Sequence, residues 1–517
     1  MVTAAPELHL EMIAFGLMAP FVSLLTKYVA DSAQLFTPTR HHGGHWNHNE
    51  WNFLGDGWMK RAPVHTRMAK LAWIPVCALT VLSLGCSNTA GADASQEPQP
   101  PTFKAVAGTP AFPGAVGFGA VSKGGRGGRI IQVTTLADSG PGSLRACVME
   151  SGPRVCVFRV SGVIRFTDRP PIIREPYLTI AGQTAPGGGI TLAHAGGPNG
   201  RTPLVLKTTH DIVVQHIRIR PDIFGENRES EDGITIENSS RVIIDHVSAT
   251  WARDELINGY ADNDELTISN SIFALGIPPH DKCALLASDP TDRQNVSFIG
   301  NICAHNGDRN PDANFPVRSC VEVVNNVFYN GQSEFTEVWE SEGGTPISIV
   351  GNTYIAGRNT HAETVGIQND RTESLGQATI YLWDNRFFGS FIHLGPNARE
   401  ALSPTSPCPL TVHPKEVNAA YDAVLAQAGA WPRDDIDRRV VEDVKGRSGR
   451  IGAMTRVIPE IAQGDPYPDQ DQDGMDDSWE RTAGADPATN DAWKDSNGNG
   501  TANLEEFLAY REKQLAS

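Results

Sequence analysis

Short apolar runs recur along the middle of the chain with one internal order. HDIVVQHIRI begins at 210, SRVIIDHVSA at 240, DELTISNSIF at 264, QNVSFIGNIC at 294, SCVEVVNNVF at 319, TPISIVGNTY at 345 and ATIYLWDNRF at 378, which gives steps of 30, 24, 30, 25, 26 and 33 residues. Each run alternates apolar and polar positions, the period of a strand with one buried face. A polar pair follows, then further apolar residues. Imperfect repeats of this length predict a solenoid. Nothing helical lies between the runs, so the unit predicted is one coil of a parallel β-helix, apolar inside. Asn270, Asn301, Asn326, Asn352 and Asn385 recur in the polar pairs and are expected to ladder along a turn as structural amides. A propeller would require a hairpin signal and more even spacing.

Upstream, IIQVTTLADSGPGSLRACV predicts a strand, a turn and a short helix, and VCVFRVSGVIRF and YLTIAGQTAPGGGITL predict short strands broken by Gly and Pro. Gly124 to Gly128 form a glycine-rich loop, but no GKS or GKT follows, so a phosphate cradle is not expected. Downstream, Val417 to Gln427 and Asp434 to Val444 read as helices that pack on or cap the last coil.

The two ends differ in kind. Residues 1–58 read as a leader outside the working protein, despite the His-rich HHGGHWNHNEW. Residues 59–86 have the basic start, apolar run and small-residue end of a secretory signal. Their end, LTVLSLGC, resembles a bacterial lipobox that would make Cys86 a lipid anchor, with residues 87–107 as tether. Ordinary cleavage and secretion is the competing reading. The main domain spans 108–452, and 465–517 read as a separate module. There, Asp469, Asp471, Asp473, Met475, Asp477 and Glu480 occupy ligand positions 1, 3, 5, 7, 9 and 12 of an EF-hand-type calcium loop, with Gly474 at 6. Asp495, Asn497, Asn499, Thr501, Asn503 and Glu506 repeat the pattern 26 residues later, with Gly500 at 6. The preceding helices are short or missing, so a structural calcium tail of the dockerin kind is expected.

Gly 50, Pro 35 and 20% charged residues favour a turn-rich β protein, and a formal charge of −17 argues against nucleic-acid partners. None of the eight cysteines forms a CxxC, so zinc is not expected, and Cys147 and Cys156 suit a local disulfide.

The candidate chemistry lies in EDGITIENSSRVIIDHVSATWARDELIN, residues 231–258. Asp232 precedes one strand, and Asp254, Glu255 and Asn258 follow the next. Stacked strands can bring such oxygens to one face, where they suit Ca²⁺. Plain polarity at strand ends is the other reading.

The motifs AFPGAVGFGAVSKGGRGG, LADSGPGSLRACV, VSGVIRF, LTIAGQTAPGGGI and VIIDHVSATWARDE resemble the pectate lyases of polysaccharide lyase family 1, over roughly residues 108–450. The resemblance implies an all-β, right-handed parallel β-helix. It also implies calcium-dependent β-elimination of α-1,4-linked polygalacturonate, a pectin substrate and an exterior location; a monomer is expected. By motif, it places Asp232, Asp254 and Asn258 at the catalytic calcium. Asn258 departs from the family's acid there, and Glu255 is expected to supply the missing charge. Ser230 stands where some members have a further acid. The Arg-x-Pro-x-x-Arg pattern falls on Arg309 as the catalytic arginine, with Arg318 across a longer gap, and Lys282 matches a substrate-binding lysine. Asp245 and His246 are structural in this comparison. Polygalacturonase signatures are absent; a pectin lyase and a non-catalytic glycan-binding β-helix remain the alternatives.

Overall fold

The computed structural model describes residues 97–194, 202–222 and 231–516. The expectations for the leader, the signal, Cys86 and Ser230 fall outside them. Among the described residues, the strands form three parallel sheets, one of eleven strands and two of nine. One coil shows the path. Ser240–Asp245 lies in the first sheet, Ser248–Thr250 in the third, Glu255–Asn258 in the second, and Asp264–Ser269 returns to the first. The predicted alternation is the inward face of these strands. Val242, Ile244, Leu266, Ile268, Val296 and Phe298 stack in register inside the first sheet.

The turn from first to third sheet needs one left-handed residue per coil. The sequence supplies His216, His246, Asn270, Gly300, Asn325, Gly351 and Asp384 there, with φ between 47° and 69°. Gly and the short polar residues tolerate that region best. The next position carries the ladder. The Oδ1 atoms of Asn301, Asn326, Asn352 and Asn385 accept the backbone N–H of the preceding coil at 2.8–2.9 Å. Each Nδ2 donates to a buried carbonyl. Asn270 is a correction to the predicted ladder. It sits one residue early, at the left-handed position, and donates to Asp245 instead, while Ser271 Oγ takes the rung by accepting the Val247 N–H at 3.0 Å.

The helices Val417–Gln427 and Asp435–Gly446 form close to where the periodicity placed them, but they do not cap the last coil. They lie along the outer face of the third sheet, where Val424, Leu425, Val440 and Val444 cover Ile272, Ile302, Val327 and Ile355. The buried Arg220 ties down the second of them through Asp434 and Asp437. The short helices Leu144–Val148 and Pro396–Glu400 contribute Leu144, Val148 and Ala398 to the central core instead.

The tail is also not separate in space. Met475, Leu504, Phe507 and Leu508 pack on Val155, Val157 and Ala181 of the first coils, and Trp493 Nε1 donates to the Gly128 carbonyl at 2.8 Å. It belongs to the same compact unit as the β-helix. Disulfides join Cys147 to Cys156, Cys283 to Cys303, and Cys320 to Cys408.

Candidate active site

The solenoid step turns distant residues into neighbours on the second sheet. Thr235, Asn258, Leu285, Asp312, Glu337 and Gln368 stand in register across six successive strands. Asp232 enters one coil and Asp254 and Glu255 the next. Oxygens of these three carboxylates lie within 4.8 Å of one another. Thr235 Oγ1 donates to Asp232 at 2.5 Å. Asn258 Nδ2 turns to Glu255 at 3.4 Å, and its buried Oδ1 has no hydrogen-bond partner.

Three acids so close repel one another. Burial, then the Glu255 charge, pushes Asp232 well above the usual carboxylate range. Burial also raises Asp254, and burial with Asp254 pushes Glu255 up to about 7. A hard cation would relieve this, and the unused Asn258 oxygen is a ligand of the right kind.

Arg309 stands beside the acids. Its backbone is left-handed, with φ 53°. Its guanidinium pairs with Glu255 and lies 3.6 Å from Asp312. Burial opposes its charge, but Asp312, Glu255 and Asp308 outweigh burial and hold it protonated more firmly than usual. Glu255, expected from the sequence to add charge at the cation, therefore lies between the acid cluster and Arg309. Lys282 pairs with Asp308 on the same face and faces Glu255 in register. Arg318 is not brought to this cluster. It is exposed in the turn after Asp312–Asn314. Counting straight through that strand, the fifth residue after Arg309 is Asn314, whose Nδ2 donates to Ser341.

Several site residues escaped sequence reasoning. Glu231 is buried 3.3 Å from His194. Asp308 and Asp312 flank Arg309, and Glu337 opposes Asp312 across the sheet. The repeat itself was the signal for Glu337, one coil of 25 residues beyond Asp312. Beyond Arg309 opens a groove of about 430 Å³, with Trp339 in its wall.

The two tail loops share one hydrogen-bond pattern. The first carboxylate of each, Asp469 or Asp495, accepts the N–H of positions 5 and 6. The ninth side chain, Asp477 or Asn503, accepts the N–H of position 2. Gly474 and Gly500 both turn at φ near 90°. In the first loop both Glu480 oxygens and Asp471 Oδ2 are buried without partners. Burial and Asp473 push Glu480 up to about 8. Asp491, absent from the sequence expectation, brings an oxygen to Asp473 and Glu480. In the second loop, Asn497 and Asn499 donate to Glu506, and Thr501 donates its backbone N–H to Asn499.

Fold and site together define a parallel β-helix protein with an acid cluster and an arginine side by side on its second sheet. The chain is 33% identical over 403 residues to a probable pectate lyase C of Aspergillus fumigatus, covering 76% of this chain and 91% of that protein. It is 26% identical over 343 residues to a probable pectate lyase 13 of Arabidopsis thaliana, covering 62% and 63%. Among solved structures, the major allergen of cedar pollen aligns with a TM-score of 0.46 and 20% identity, over 61% of this chain and 92% of that one. No protein-family model matches the chain. The chain belongs to the pectate lyase family.

Proposed function

We propose that this protein cleaves polygalacturonate by β-elimination in the groove over its second sheet, with calcium as cofactor. One observation carries the reading. Asp232, Asp254 and Glu255 converge within 4.8 Å, beside an Asn258 oxygen with no donor and next to Arg309. Asp232, Asp254 and Asn258 would hold the ion, with Glu255 reaching it or Arg309. Bound there, calcium supplies Lewis-acid neutralisation of the substrate carboxylate, which makes the adjacent C5 proton acidic.

The side chains perform the remaining tasks. Arg309 meets the negative charge that develops as the proton leaves C5. Its neighbours keep it protonated, so in this resting arrangement it acts as a charge stabiliser rather than as a base. Lys282, on the next strand, is placed to orient an anionic sugar once it releases Asp308. Hydroxide from solvent takes the C5 proton, the electrons of that C–H bond form the C4–C5 double bond, the C4–O bond breaks, and the departing oxygen takes a proton from water.

The tail loops bind two further calcium ions that have a structural role. The shared loop geometry and the unpartnered Glu480 oxygens support this. The protein works outside the cytoplasm, secreted or anchored at Cys86. Three disulfides support an oxidising location, and the anchor rests on the sequence alone.

The test is ultraviolet absorbance of the unsaturated uronate product on polygalacturonate, with calcium and then with EDTA. Absorbance that rises with calcium and stops with EDTA is expected. A rise unaffected by EDTA removes calcium from the reaction, and no rise on any pectin removes the lyase.

A further inference from the structure

The groove beyond Arg309 has the wrong charge for a fully ionised substrate. Its wall carries Asp289, Glu342 and Glu373, with Asp312 at its floor. Among the described residues lining it, Arg309 is the one cation, and that charge is already shared by Glu255 and Asp312. Asp312 is 3% exposed, and its Oδ1 has no hydrogen-bond partner. Like-charge crowding is felt within the wall, where burial and then Asp289 raise Glu342. Trp339 and Leu375, the latter 77% exposed, give the same groove apolar surface. A volume of about 430 Å³ is enough for a small ligand.

A free uronate entering this groove adds a negative charge among carboxylates. A methyl-esterified uronate brings none, and its methyl group can lie on Trp339 or Leu375. We propose that the groove beyond Arg309 selects methyl-esterified galacturonosyl units, with Asp289, Glu342 and Glu373 as the residues that reject free carboxylates. The preferred substrate is then a partly esterified chain, with one free carboxylate at Asp232, Asp254 and Asn258 and esters on the groove side. This rests on reading the site as a pectate lyase centre.

The rival account is that the wall acids hold anionic sugars through bridging calcium. The two differ in sign. Neutralising the wall should help an unesterified chain if it repels, and should harm it if it bridges.

The experiment compares kcat/KM on unesterified, partly esterified and fully esterified galacturonan at saturating calcium. It uses the whole chain and its Glu342→Gln, Glu373→Gln and Asp289→Asn variants. Mass spectrometry of the unmodified protein's products reads where esters lie relative to the new unsaturated end. The expected result is a preference for the partly esterified polymer of roughly tenfold, esters concentrated on one side of the cleavage point, and a preference that narrows in the variants through faster cleavage of the unesterified chain. Best cleavage of the unesterified polymer, ester positions at random, or variants that lose activity on it would overturn the proposal while leaving the lyase intact. No unsaturated product from any polymer would overturn both.

Discussion

Arg309 owes its position to three acids, and that decides what it can do. Glu255 and Asp312 grip the guanidinium, and Asp308, two coils from the acid cluster, pairs with Lys282. Arginine's planar fork meets two carboxylates in a fixed geometry that the compact lysine ammonium does not reproduce. Arg309→Lys keeps the charge and loses that geometry. Turnover is expected to fall by ~10²–10³ with little change in KM, as when one donor to a developing charge is removed. Steady-state kinetics on polygalacturonate checks this, and full turnover in the variant would take Arg309 out of the reaction. The residue pattern DRNPDANF made Arg309 legible. The pattern's second arginine was less legible: Asn314 holds the fifth position after Arg309, and Arg318 lies exposed in the turn beyond the strand Asp312–Asn314.

At the scale of the element, the turn between the first and third sheets is the most regular feature of the molecule. Its left-handed residue and the Asn that follows recur coil after coil. Asn326 accepts from Asn301 N–H and donates to Phe298 O and Asn352 Oδ1, all in the interior. Asn326→Ala leaves a buried N–H and a buried carbonyl without partners. A loss of about 3 kcal/mol is expected, read as a lowered midpoint in denaturant. A loss below about 1 kcal/mol would mean that water fills the rung. The repeat showed that such a turn existed. It did not fix its register, since Asn at 270 and Asn at 301 look alike in a one-letter alignment. Only the backbone shows that one is left-handed and the other is not.

At the scale of the whole molecule, the C-terminal tail is bolted to the first coils. Its helix Asn503–Ala516 presents Leu504, Phe507 and Leu508 to Val155 and Val157, and Glu505 pairs with Arg126. Glu512 lies 4.0 Å from both His216 and His246, so the tail also touches the turn column. Metal bound by the tail should therefore stabilise the β-helix itself. For the first loop alone, at calcium about a hundredfold above that site's dissociation constant, about 3 kcal/mol of stabilisation is expected. Glu480→Gln should lose most of this, lowering the thermal midpoint in calcium, and should leave turnover of the folded protein within about twofold at moderate temperature. An unchanged midpoint would separate the tail from the stability of the coil.

The sequence alone determined the solenoid, its coil length, the two loop motifs and the residues of the acid cluster. These are local or periodic signals, set by alternation at period two and by fixed ligand spacings. Tertiary structure decided the partners. It gave Glu255 to Arg309, placed the two C-terminal helices along the third sheet instead of on the last coil, and laid the tail against the first coils. It also revealed the acidic wall of Asp289, Glu342 and Glu373. Those contacts join residues tens to hundreds of positions apart, and they form because apolar faces and charges find each other across coils. No spacing along the chain encodes which face meets which.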